Sequence, residues 1–294
     1  MATPDRSDRE PSPASVEADI GAAPKHNGQP ERPVEAGVLS RAFFLGAVDT
    51  KHADLVLLSH SFASGMVDAA CFSNWSVFAA MQTGNTVLLG LSTATTANNP
   101  HAWTTTLVSI CSYLIGVFFT FRLTMLCSPQ GAATNRLFLN SLFMLQAVMI
   151  LVPASLIAAN LVPHNPGGVA TLSTATDVID NVRIVSLLPL LSFQAGIQIS
   201  CSRLLGYNEL PVNVLTSTYC DIMGDNALFN PKNVKRNRRV ASVVLLFSGA
   251  ISSGWLMRSA GGLKASLFVA GGIKFAGAVA AFLFLKRASA QRNG

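Results

Sequence analysis

Charge is what this sequence has least of. Only 12% of its 294 residues are Asp, Glu, Lys or Arg, against about 25% in an ordinary soluble domain. Hydrophobic residues make up 50%, and the mean hydropathy is +0.42. Residues 55–294 hold fifteen basic and six acidic residues, clustered between long apolar runs. That pattern excludes a water-soluble enzyme and describes a polytopic membrane protein. Cysteine is also sparse: Cys71, Cys111, Cys127, Cys201 and Cys220 show no CxxC or Cys/His spacing, so neither a metal site nor a disulfide framework is expected. No nucleophile elbow, HExxH pair or Walker loop occurs, so no enzyme activity, cofactor or ATP-driven step is expected. The pI near 9.3 comes from basic residues flanking apolar runs, not from an aromatic-interleaved surface, which argues against nucleic acid. No short apolar segment follows Met1, so a cleavable signal peptide is not expected.

Six apolar runs are long enough to span a bilayer core as helix: 55–72, 103–121, 137–160, 184–202, 240–257 and 265–285. Two further segments, 75–91 and 210–226, are too polar to face lipid. Re-entrant pieces, buried helices and interfacial loops all fit them. The expected fold is therefore all-α, a membrane bundle of about six helices. Residues 1–54 carry six basic and nine acidic residues and little to bury; they read as a disordered acidic tail with a juxtamembrane segment. Residues 55–287 form the membrane domain and 288–294 a short tail.

Positive charge orients the bundle. Six crossings put thirteen Lys and Arg inside and three outside, whereas eight crossings give eleven and five. Both counts keep both termini cytoplasmic, and six fits better. The cluster Lys232–Arg239 anchors this orientation and also suits anionic lipid headgroups. A plasma membrane is favoured over an organelle.

Two stretches carry a family resemblance. Gly65, Asp68 and Ala69 are followed by Phe78 and Thr83-Gly84-Asn85. Later, Ser192-Phe193-Gln194-Ala195-Gly196-Ile197-Gln198 supplies a Gly-x-Gln element. Together they resemble the YoaK-like family, a domain of unknown function found in bacterial and fungal integral membrane proteins. The usual Met before Thr-Gly-Asn is displaced to Met81, with Gln82 between. The resemblance covers roughly 50–287 and implies no established substrate or reaction.

The two stretches also resemble each other. Ser61, Phe62 and Gly65 match Ser192, Phe193 and Gly196 at an offset of 131, and Thr83-Gly84-Asn85 falls on Thr216-Ser217-Thr218 at 133. A duplication with three spans per half gives inverted repeats, an architecture common among transporters; coincidence of common membrane residues is the alternative.

Polar groups at membrane depth mark candidate function, because an unpaired charge there costs at least about 2.5–3.5 kcal/mol. Asp68 and Lys274 fall at depths of roughly 20 and 16 Å from the cytoplasmic edge, close enough for an ion pair. A structural pair, a proton-coupling role with Asp68 as carrier, and no contact at all are the readings open. Gln194 and Gln198 share a helix face and serve as interhelical glue or as solute ligands. Thr83, Gly84 and Asn85, with Thr216 and Thr218 opposite them in the repeat, suit a broken helix that binds a ligand or caps a buried loop. The sequence thus points to a gradient-driven or facilitative carrier of a small polar solute. A non-transporting scaffold or sensor is the alternative, and oligomeric state is not legible.

Overall fold

A computed structural model describes residues 45–94, 102–162, 164, 185–210 and 215–285. The expectations for the tails 1–44 and 288–294 lie outside the described residues. Eight α-helices are described: α1 Ala53–Trp75, α2 Gln82–Thr93, α3 Ala102–Cys127, α4 Arg136–Ala158, α5 Leu188–Leu204, α6 Leu215–Met223, α7 Val234–Arg258 and α8 Gly262–Phe284. Five of them, α1, α3, α4, α7 and α8, are long and apolar enough to cross a membrane. The sixth apolar run forms α5, whose 17 residues reach about 26 Å at 1.5 Å per residue. Its polar residues need no lipid-facing position, since most of α5 is buried by other helices.

Contacts along the helices fix their directions. On α4 and α8, Arg136 donates to Phe282 and Leu285 carbonyls, Gln146 meets Lys274, and Leu151 packs at Gly271, so the two run antiparallel. On α1 and α5, the Tyr207 hydroxyl just beyond α5 donates to Thr50 O at 2.5 Å, while Ser64 meets Gln198, so these are antiparallel as well. If 75–91 and 210–226 both crossed the membrane, each of these pairs would be parallel. They do not cross: α2 and α6 span only about 18 and 14 Å.

The main packings obey a pseudo-two-fold relation in which α1, α3 and α4 correspond to α5, α7 and α8. Helix α1 packs on α7, and α5 packs on α3, each pair parallel. Glycines permit both approaches. A Cβ on Gly65 would lie 2.0 Å from Leu246 O, and one on Gly249 2.0 Å from Phe62 O. At the corresponding crossing, a Cβ on Gly196 would lie 2.4 Å from Tyr113 O and one on Gly116 2.4 Å from Phe193 O. Serine pairs repeat the relation: Ser61 Oγ sits 2.9 Å from Ser242 Oγ, and Ser192 Oγ 2.8 Å from Ser109 Oγ. The two halves are therefore built alike and exchange their first long helices: α1 packs with α7 and α8, and α5 with α3 and α4. With three long helices in each half, the second half is inverted with respect to the first.

One face of the bundle carries Lys51, Arg136, Arg203 and the cluster Lys232–Arg239; Arg258 and Lys264 lie at the other. That cluster is largely helical, since α7 begins at Val234 with Asn233 as its cap. Its charges are tied down. Arg238 reaches Asp54 at 3.0 Å and Glu209 at 2.9 Å, with its guanidinium 4.8 Å from the Tyr207 ring centre. Arg239 pairs with Asp221 at 3.4 Å and Asp225 at 3.8 Å, which places the end of α6 at this basic face.

The apolar core comes in two parts. Toward the basic face lie Leu57, Phe143, Ile197 and Ala278; toward the opposite face lie Ala63, Ile150, Leu191 and Ala270. Along every one of these four helices a polar residue sits between the two parts: His60, Gln146, Gln194 and Lys274.

Candidate functional site

Lys274 lies on α8 about 18 Å from one helix end and 15 Å from the other, which is mid-depth in the bundle. Its side chain is fully buried. The ammonium donates to Gln146 Oε1 at 3.1 Å, to Gln194 Oε1 at 2.5 Å and to Gln198 Oε1. The glutamines cannot turn their amides round without loss, because each NH2 is already committed to a main-chain carbonyl. Gln146 donates to Leu142 O at 3.2 Å, Gln194 to Leu191 O at 2.8 Å and Gln198 to His60 O at 3.3 Å. Ser64 Oγ lies 2.8 Å from Gln198 Nε2 and 3.0 Å from Gln198 Oε1, so the Gln198 carbonyl has a donor besides Lys274. Three carbonyl oxygens consequently converge on one nitrogen. None of the ion pairs among the described residues involves Lys274.

His60, on α1, is fully buried beside this cluster and packs its ring edge-on to Phe143, centroids 5.3 Å apart. Neither ring nitrogen has a hydrogen-bond partner. Such a group at membrane depth costs free energy that a ligand or proton can recover.

Asp68 is elsewhere. It stands about 10 Å below the end of α1, and its Oδ1 accepts from Ala79 N at 2.9 Å and Ala80 N at 2.8 Å. The chain after α1 therefore turns back into the bundle before α2 climbs out again, a re-entrant segment. Asn85, fully buried, closes the turn: its Oδ1 accepts from Phe78 N at 2.9 Å, and its Nδ2 donates to Phe78 O at 2.7 Å and Ser109 Oγ at 3.0 Å. Gly84 lies under the Phe78 ring, where a Cβ would come within 2.9 Å, and Phe78 stacks on Phe72 at 4.6 Å. Thr83 is exposed. Thr216 and Thr218 of α6 repeat this pattern, the first exposed and the second buried.

The candidates thus separate into two places. Gln194, Gln198 and Lys274 meet at mid-depth; Asp68, Gly84 and Asn85 build the re-entrant turn. The Asp68–Lys274 ion pair is not formed, because two backbone amides hold the carboxylate and its helix faces it toward 76–81. Sequence reading missed Gln146 and His60. The available signal was position: each is a polar residue near the middle of an apolar run, and His60, Ser64 and Asp68 recur every fourth residue. Asn74, within a glycosylation pattern, is buried with its amide on Ala70 O at 2.9 Å.

A family model described as "Protein of unknown function (DUF1275)" matches residues 56–280. No curated protein and no solved structure matches the chain.

Proposed function

The chain belongs to the DUF1275 family of multi-pass membrane proteins, and from that premise we propose that it is a gradient-driven or facilitative carrier of a small polar solute. The observation that carries this reading is the mid-depth cluster of Lys274, Gln146, Gln194 and Gln198 where two inverted halves meet. Inverted repeats with broken segments are the usual frame for a site opened alternately to each side. Burying an ammonium among neutral amides costs stability that hydrophobic side chains would not, so its retention points to use. Lys274 is enclosed by apolar packing above and below, which in this reading corresponds to a closed form of the cycle.

The basic face is placed in the cytoplasm by the positive-inside rule, and both chain ends with it. Arg238, bridging Asp54 and Glu209, is the cytoplasmic latch. The opposite side is closed by apolar packing around Trp75, Leu187 and Leu188. Lys232 and Lys235 have no ion pair among the described residues and suit anionic lipid headgroups.

A scaffold is the second reading, favoured by the saturation of every Lys274 hydrogen. Sided thiol labelling separates the two. Ala147, buried one residue from Gln146, becomes the single cysteine of an otherwise Cys-free chain in proteoliposomes. The carrier reading expects an impermeant reagent to reach A147C from both faces. Protection from both sides under every pH and solute tried, while an exposed K235C control labels normally, would establish the scaffold.

A further inference from the structure

Building on the carrier reading, we infer that the solute is a small anion, a carboxylate or an inorganic oxyanion, and that Lys274 is its counter-charge. The argument is a count of charges. Lysine at neutral pH is ordinarily an ammonium, and here three glutamine oxygens stand where water would solvate it. They supply dipoles and no charge. The other titratable groups beside the cluster are a thiol and an imidazole, Cys201 and His60. Every carboxylate among the described residues is engaged elsewhere. Asp49 accepts from Lys51 N, Asp54 and Glu209 hold Arg238, Asp221 and Asp225 face Arg239, and Asp68 is held by Ala79 and Ala80. The polar layer where the halves meet thus holds a positive charge that no described residue balances. An anion drawn to Lys274 offsets the cost of that charge at membrane depth, whereas a cation adds to it.

The cluster can admit an anion without stranding a buried acceptor. Ser64 Oγ lies 3.0 Å from Gln198 Oε1, so that oxygen keeps a donor when the ammonium turns away from it. The N–H so released needs an acceptor, and an anionic oxygen is a stronger one than an amide carbonyl. A second donor stands nearby. A neutral imidazole carries one N–H, and neither ring nitrogen of buried His60 has a partner. A Cβ on Gly277 would lie 3.6 Å from His60 Nε2, so this nitrogen faces α8 about one turn from Lys274. His60 and Lys274 do not hydrogen-bond each other, which leaves both to be joined through a bound anion.

The test is protection of A147C from a thiol reagent in nanodiscs at neutral pH, with ionic strength held constant by a bulky sulfonate. A ligand at ten times its dissociation constant leaves about one site in eleven empty, so saturating formate, acetate or nitrate should slow labelling about tenfold. Acetamide, the neutral counterpart of acetate, and methylammonium should not slow it. K274Q, qualified as folded by chromatographic and thermal-melt behaviour like the parent chain, should lose the anion effect. The comparison of acetate with acetamide on the parent chain decides the solute's charge even where that variant does not fold. No anion effect, or one matched by acetamide or methylammonium, overturns the anion assignment. An anion effect undiminished in folded K274Q overturns the role of Lys274. In either case, labelling of A147C from both faces of proteoliposomes leaves the carrier reading standing. An A147C that labels under none of these conditions overturns both.

Discussion

At the scale of single residues, glycine and asparagine do work that composition alone does not reveal. Gly65 and Gly249 let α1 and α7 touch backbone to backbone, with no room for one more carbon. G65A should therefore lower stability by about 1–3 kcal/mol or more, through forced separation of the helices. G90A, with open space around its Cβ, should raise or leave unchanged the thermal midpoint. A midpoint for G65A equal to that of the parent chain would remove the close-crossing argument. Asn85 makes a similar case. Replacing it by Ala strands Phe78 N in the buried turn, at about 1–3 kcal/mol, while Phe78 O keeps the Ser109 hydroxyl at 2.7 Å. N85A should melt earlier, and Ser→Cys labels near Ser76 should become reactive. The motif Thr-Gly-Asn was legible as chemistry suited to a broken helix. Which of its members acts was not, because that depends on Phe78 and Ser109, seven residues back and twenty-four ahead.

At the scale of elements, the six long runs were readable because a 30 Å apolar layer demands length and composition that little else produces. The fate of 75–91 and 210–226 was not, since moderate polarity suits a buried short helix as well as a loop. It took the antiparallel sense of α1 with α5 and of α4 with α8 to settle it. The repeat shows the same division. Three matching residues in each half were visible, and two of them in each half, Ser61 with Gly65 and Ser192 with Gly196, prove to be helix-crossing residues. Their partners Ser242, Gly249, Ser109 and Gly116 carry no local signature. The pairing of Asp68 with Lys274 failed for a physical reason: depth along a helix says nothing about which way a side chain faces.

The latch at the basic face belongs to this scale too. Arg238 joins α7 to the start of α1 and to the segment after α5, and Tyr207 donates to Thr50 O across the same junction. R238A should raise thiol labelling of N140C, which lines a crevice beneath this face, severalfold. High salt should mimic it partly, since Arg238 and its partners are only partly buried. Unchanged labelling of N140C would show that the cluster is no barrier. Asp225 gives a pH dependence. The Ala227 N–H, then the Asn233 amide and Arg239, hold its carboxyl below the ordinary carboxylate range. Its tether therefore contributes above the unfolded value of about 4 and is lost as pH falls through the lowered folded value. Hydrogen exchange in 224–233 should accelerate on acidification, and D225N should remove that step.

At the scale of the whole molecule, exchange of the first long helices produces two parallel pairs, α1 with α7 and α3 with α5, packed beside the antiparallel pair α4 and α8. A polar layer at mid-depth crosses all three. If the protein alternates access, the α1–α7 pair should rock against the α3–α5 pair about that layer, opening one face as the other closes. Double electron–electron resonance with two spin-label pairs measures this directly. One pair, at exposed Leu126 on α3 and Val234 on α7, reports the basic face; the other, at exposed Trp103 and Arg258, reports the opposite face. Across pH and acetate titrations in lipid nanodiscs the account predicts two distance populations at each face, with the basic-face distance lengthening as the opposite one shortens. A single distance at both faces, independent of pH and acetate, would contradict it and leave a rigid bundle in place of a carrier.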